Sequence, residues 1–273
     1  MSCAWKEFLL ILPDRLRQDV DRLGKEKMTE LRLRIGRPAE IVMTDRVCSV
    51  GARVTGQELE RLINFVTQYS PWAATTVSKG YLSASGGHRI GMCGDVVMKD
   101  GRMIGIRSVT SLCIRIARDI PGVASSAGAI NSSIIVIGAP GWGKTTLLRD
   151  LARTVATDRN VCVIDDRGEL FPPGVRRGHR MDVLTGSHKE EGIQLALRCM
   201  GPEYIAVDEI TAAEDTNAVL RAHGSGVKLL ATAHAGSLDD LRTRSIYQEL
   251  LARRVFSSAL VLSSDKSYTR ERI

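Results

Sequence analysis

Apolar and polar positions change their period near the middle of this chain. Beyond residue 133, unbroken apolar runs alternate with segments whose apolar residues recur every three or four positions. The runs are "SIIVIG", "NVCVID", "YIAVD", "VKLLATAH" and "VFSSALVLS". Each predicts a strand buried on both faces. Between them, "TTLLRDLARTVA" puts Leu147, Leu148, Leu151 and Val155 on one side of a helix. "EEGIQLALRCM" and "EDTNAVLRAHG", which ends at Gly224, read as further helices. "SLDDLRTRSIYQELLARR" reads as one helix opened by Ser237, with Asp240 three residues later as a capping pattern. Strand and helix in alternation predict a parallel sheet covered on both faces.

The first half patterns differently. "TGQELERLINFV" opens with a capping box, Thr55 and Glu58, and then sets Leu59, Leu62, Ile63 and Val66 in one stripe. In "GGHRIGMCGDVVMKDGRMIGIRSVTSLCIRIARD", glycines separate short β-prone runs, and "KDGR" is a hairpin turn. Arg107, Arg115 and Arg118 sit in or beside these runs. "PGVASSAGAINSS", residues 121 to 133, is rich in small residues and reads as a linker or domain edge. The expected organisation is a smaller mixed α/β domain over 1–122, a linker over 123–132 and an α/β domain with a mainly parallel sheet over 133–273.

Composition narrows the class. Of 273 residues, 44% are hydrophobic and 25% charged, the balance of a soluble globular protein, while aromatics are only 4% and leave an aliphatic core. The net charge of +7, mostly arginine, permits acidic or phosphate-rich partners, although scattered arginine also makes an ordinary solvated face. Six cysteines without a C-x-x-C pair fit a reducing cytosol and argue against a zinc site or a disulfide framework. No apolar segment reaches the roughly 18 residues of a membrane span. The expectation is a cytoplasmic protein with no direct membrane insertion.

The candidate chemistry begins at Gly138-Ala139-Pro140-Gly141-Trp142-Gly143-Lys144-Thr145, which satisfies G-x-x-x-x-G-K-[ST], and continues into Thr146 at the helix start. Glycines let backbone N–H groups approach phosphate oxygens, and the following helix directs its positive end at the same anion. Lys144 would reach the β- and γ-phosphates of ATP, and Thr145 would give its hydroxyl to magnesium. Trp142 stands at a free position, compatible with covering the nucleotide or packing on a neighbour. "YIAVDEI" ends a strand with Asp208 and Glu209: the first would hold magnesium through water and the second would act as the base that activates water, the alternative being two solvated acids capping the next helix. "IDDRGE" brings Asp165, Asp166 and Glu169 to a third strand end, either at the same edge or as surface acids. "ATAHA" does so with Thr232 and His234, which could sense the γ-phosphate or serve structure. Together these features point to a RecA-like P-loop NTPase domain.

The same residues carry a family likeness. "ELRLRIGRPAEI", "GGHRIGMCG", "SLCIRIARDIPG", "GAPGWGKTTLLRDLAR", "DVLTGSHKEEGI", "VDEI" and "LLATAHA" resemble the stage III sporulation protein AA family, ATPases of spore-forming bacteria related to type II and type IV secretion ATPases. The likeness runs along nearly the whole chain. It implies catalytic or sensing roles for Glu169 and His234. It also implies that Arg115 and Arg118 of the "RIAR" stretch reach the nucleotide from the N-terminal domain. This chain has "DDRGE" where the family tends to have Asp-Glu-Arg-Ser-Glu, and Asp208 where secretion ATPases usually have glycine. The resemblance further implies a homo-oligomeric ring, a hexamer, acting in the mother cell on a membrane channel complex that leads to the forespore. Two other readings fit the residues. One is a nucleic-acid-dependent P-loop ATPase, disfavoured by the lack of an aromatic-rich basic stripe. The other is a nucleotide-binding scaffold that switches without turnover.

Overall fold

The computed structural model describes residues 4–24, 26–67, 80–172 and 174–273. Two compact units emerge: residues up to Asp119 with Pro172–Val175, and Ile120–Phe171 with Arg176–Ile273.

The N-terminal unit opens with two short amphipathic helices, α1 (Trp5–Ile11) and α2 (Asp14–Leu23), parted at Leu12-Pro13. The chain then folds as β1 (Met28–Arg34), β2 (Ala39–Met43), β3 (Val47–Val50), α3 (Gly56–Thr67), β4 (Tyr81–Ser83), β5 (Arg89–Lys99) and β6 (Arg102–Arg115). The strands form one antiparallel sheet in the order β3-β2-β1-β6-β5-β4. The predicted capping box is present: the Glu58 carboxylate accepts from Thr55 N, and Glu58 N donates to Thr55 Oγ1. The predicted hairpin turn joins β5 to β6, with Asp100 at φ 50° and Gly101 at φ 73°. Both residues in the left-handed region is the type I′ arrangement that matches strand twist. Leu31, Leu33, Ile41, Leu59, Ile90 and Ile114 fill the core. Pro172–Val175 belongs here too: a Cβ on Gly87 would fall 2.6 Å from Pro172 Cγ.

The C-terminal unit alternates strand and helix as the apolar runs predict. Its elements are β7 (Ile134–Ile137), α4 (Lys144–Val155), β8 (Val161–Asp165), β9 (Met181–Thr185), α5 (Lys189–Cys199), β10 (Tyr204–Val207), α6 (Ala213–Gly224), β11 (Lys228–Ala233), α7 (Leu238–Thr243), α8 (Ser245–Ala252), β12 (Ser258–Leu262) and β13 (Tyr268–Arg272). The sheet order is β13-β12-β7-β11-β10-β8-β9, parallel except for the β12–β13 pair. β7, β8, β10 and β11 are almost wholly buried, hence their continuous apolar runs. One strand, β11, separates the loop-bearing β7 from the acid-bearing β10, which is the RecA-like order.

One local expectation changes. The helix expected over 237–254 is broken at Arg244, whose ψ of 119° is extended, so α7 and α8 are separate. Within the stretch around residues 121–133, Ala124 and Ala127 are buried, and the buried Asp150 carboxylate accepts from Ala124 N at 2.9 Å. Among the described residues no helix is long and apolar enough to cross a membrane. Cys48, Cys93, Cys113, Cys162 and Cys199 are free thiols, and Cys3 lies outside the described residues.

Candidate active site

The glycine-rich loop leaves the end of β7 and enters α4 at Gly143, the helix N-cap, with φ 103°. Gly141 is likewise left-handed at φ 79°. Both positions favour glycine on backbone grounds alone. At Gly138 space is tight instead. A Cβ there would sit 3.0 Å from Leu262 Cβ and 3.5 Å from Trp142 Cε3. Trp142 therefore packs back on the loop beside Gly138. No side chain caps α4, so its first-turn N–H groups keep their capacity to bind an anion. Ala139, Pro140 and Thr146 are part of the same turn and helix start.

The order β7-β11-β10 brings three strand ends into one crevice. Thr145 Oγ1 donates to Asp208 Oδ2 at 2.8 Å, and Thr232 Oγ1 donates to Asp208 Oδ1 at 2.5 Å. Thr232 Oγ1 in turn accepts from Glu209 N at 2.8 Å. The fully buried Thr232 thus ties the acidic strand end to its neighbour. Lys144 Nζ donates to Gly138 O at 2.9 Å and Ala139 O at 3.1 Å, and lies 3.1 Å from His234 Nδ1. His234 Nε2 lies 3.0 Å from Glu209 Oε1. An ammonium can only donate, so Nδ1 accepts and Nε2 carries the proton given to Glu209. Lys144, His234 and Glu209 form one chain of hydrogen bonds.

Charge is balanced tightly. Burial lowers the Lys144 ammonium below its ordinary pKa, against the pull of Glu209 and Asp208. Burial raises Asp208 above the usual carboxylate range, with the Thr232 and Thr145 hydrogen bonds acting the other way. Such a carboxylate gains from a nearby cation. For Glu209, burial pushes upward. The His234 hydrogen bond, the Arg167 guanidinium and Lys144 together outweigh it, and the net direction is down. Arg167 Nη1 pairs with Glu209 Oε2 at 3.0 Å, a partner not evident from sequence. Glu209 itself adopts φ 51°, uncommon for a residue with a side chain.

The other acids divide. Asp166, Glu169, Asp208 and Glu209 line one small cleft with Asp165 and Arg167. Asp165 faces its own loop, however, accepting backbone N–H bonds from Glu169, Leu170 and Phe171. Asp166 pairs with the buried Lys189 at 3.2 Å. Arg115 and Arg118 lie on the N-terminal unit: Arg115 pairs with Glu30 at 3.7 Å, and Arg118 Nη2 donates to Met28 O at 2.5 Å. The residues present fit a magnesium–nucleotide pair. Lys144 and the uncapped helix end suit phosphate oxygens, and Thr145 beside a buried carboxylate suits a divalent ion.

A family sequence profile described as "Sporulation stage III, protein AA" matches residues 5–272. The chain belongs to this family. Within it, stage III sporulation protein AA of Bacillus subtilis (strain 168) is 33% identical over 280 residues, covering 95% of this chain and 91% of that protein. The fold also has solved counterparts. The Legionella pneumophila ATPase DotB aligns at a TM-score of 0.60 and 20% identity, over 96% of this chain and 81% of that one. The pilus retraction motor PilT, with bound ADP, aligns at 0.66 and 16% identity, over 90% and 76%. At these identities the two structures speak to fold, and they place a RecA-like domain after an N-terminal domain as expected.

Proposed function

We propose that this protein is a magnesium-dependent ATPase of the secretion-motor type, energising a membrane-associated complex during sporulation. One observation carries the reading: the Thr145–Asp208 and Lys144–His234–Glu209 contacts meet at the mouth of the glycine-rich loop. Related proteins described as an ATPase and a pilus motor support it. Magnesium, held by Thr145 and through water by Asp208, would supply charge neutralisation of the phosphates when bound. Lys144 would exchange its carbonyl partners for phosphate oxygens. Glu209 would orient and deprotonate the attacking water, with His234 relaying the state of the phosphate end. Glu169 would add a second carboxylate at the nucleotide. Arg115 and Arg118 would contribute positive charge in a homo-oligomeric ring, taken to be a hexamer. A shared site of this kind adds transition-state stabilisation only when the subunits close, an effect worth ~10³-fold or more in other phosphoryl-transfer enzymes. The cellular setting that goes with this reading is the mother-cell cytoplasm.

Lys144→Ala is expected to abolish binding of a fluorescent ATP analogue. Glu209→Gln is expected to bind ATP but hydrolyse it at least ~10²-fold more slowly, the range for loss of a general base. Full turnover by purified Glu209→Gln protein would remove Glu209 from its role.

A further inference from the structure

Glu169 sits in a loop, not on a strand, so its carboxylate is only as well placed as its backbone. Two buried charged side chains hydrogen-bond to that backbone, one to its N–H groups and one to its carbonyls. Asp165, 3% exposed at the end of β8, accepts from Glu169 N at 2.8 Å and from Leu170 N and Phe171 N at 2.9 Å each. Arg149, 8% exposed on α4, donates from Nε to Leu170 O at 2.5 Å and from Nη2 to Glu169 O at 2.9 Å. The anion satisfies the N–H groups, and the cation satisfies the carbonyls.

Apolar packing already fastens this loop, since Leu170 and Phe171 are 1% and 2% exposed. Burying two charges besides is costly even where hydrogen bonds offset the desolvation, so fastening the loop does not by itself account for them. Packing holds a segment in place, whereas a planar guanidinium fork also fixes the orientation of the peptide units it grips. Arg149 stands one helical turn beyond Thr145, on the helix that presents Lys144 and Thr145 at its start. The segment that offers groups to the phosphates therefore also fixes where Glu169 stands.

We propose that Arg149 and Asp165 are positioning residues that hold Glu169 in register with the Lys144 end of α4. The proposal rests on the reading that Glu169 acts at the nucleotide. The test uses the full-length chain with Arg149→Lys, which keeps the charge but loses the fork, and Asp165→Asn, which keeps the size but loses the charge. Each is combined with Glu169→Gln in a double-mutant cycle. ATPase kcat and KM, affinity for a fluorescent ATP analogue and thermal melting are measured throughout.

Each single change is expected to lower kcat about tenfold or more while KM and nucleotide affinity stay within about threefold, the mark of a group acting on the chemical step. In the Glu169→Gln background the same changes should lower kcat by less than about twofold, because residues acting through one group are not additive. Full additivity, or equal losses in binding and kcat, would mean that the pair only supports the fold and would overturn the proposal. Wild-type turnover by Glu169→Gln alone would instead remove Glu169 from the site, a distinct failure. Should Arg149→Lys not fold, Asp165→Asn carries the same cycle.

Discussion

Arg167 and Glu209 show how much of this site depends on single contacts. A carboxyl held below its ordinary value stays ionised as pH falls, so Glu209, in the proposed role of base, would be protonated only below the usual carboxylate range. Arg167 is one cause of that lowering. Arg167→Gln is therefore expected to move the acid limb of the kcat/KM profile to higher pH, and a limb that stays put would show that the ion pair does not govern Glu209. That Lys144, Thr145, Asp208, Glu209 and His234 gather in one crevice was legible in the sequence, because the first two belong to the glycine-rich motif and the other three directly follow apolar runs. Arg167 and Arg149 were not. Arg167 meets a carboxylate 42 residues away, and Arg149 meets carbonyls 20 and 21 residues away, which no local spacing records. Asp165 was legible as an acid at the right edge, but not as one that spends itself on its own loop.

Strands buried on both faces were equally readable, because burial removes nearly all polar residues from them and leaves the exceptions at or near their ends. The edge strands were not. β9 is only half-buried, and β13 is largely exposed, so neither shows a continuous run. α1 and α2 are short and interrupted by Pro13, which hides their period. One helix–strand contact makes a sharp prediction. A Cβ on Gly192 of α5 would fall 2.6 Å from Ile164 Cγ2 of β8 and 2.7 Å from Ser187 Oγ. Gly192→Ala overpacks this seam and should cost about 1–3 kcal/mol. The melting temperature of the C-terminal unit should fall by several degrees, and an unchanged or raised value by calorimetry would show that α5 can ride outward freely. The gain in helix propensity from alanine, about 1 kcal/mol, offsets part of that clash, so the net loss is up to about 2 kcal/mol.

Charge is unevenly shared along the molecule. Residues 1–119 carry nineteen Lys and Arg against thirteen Asp and Glu, and residues 120–273 carry nineteen against eighteen. Nearly all the net positive charge thus belongs to the first part of the chain, the part that also holds Arg115 and Arg118. If those arginines serve a neighbouring subunit, the ATPase rate per subunit should climb steeply with protein concentration, in step with the mass measured in solution. A rate per subunit independent of concentration, while rings are present, would place the whole site within one chain. The threading of the chain has its own practical consequence. Pro172–Val175 belongs to the N-terminal unit although it is encoded deep within the other. No single cut of the backbone can release two intact halves: a fragment beginning at residue 120 would take those four residues away from the unit they complete, leaving Gly87 without its proline. Anyone wishing to study the nucleotide-binding half by itself would need to bridge Phe171 to Arg176 with a short replacement loop.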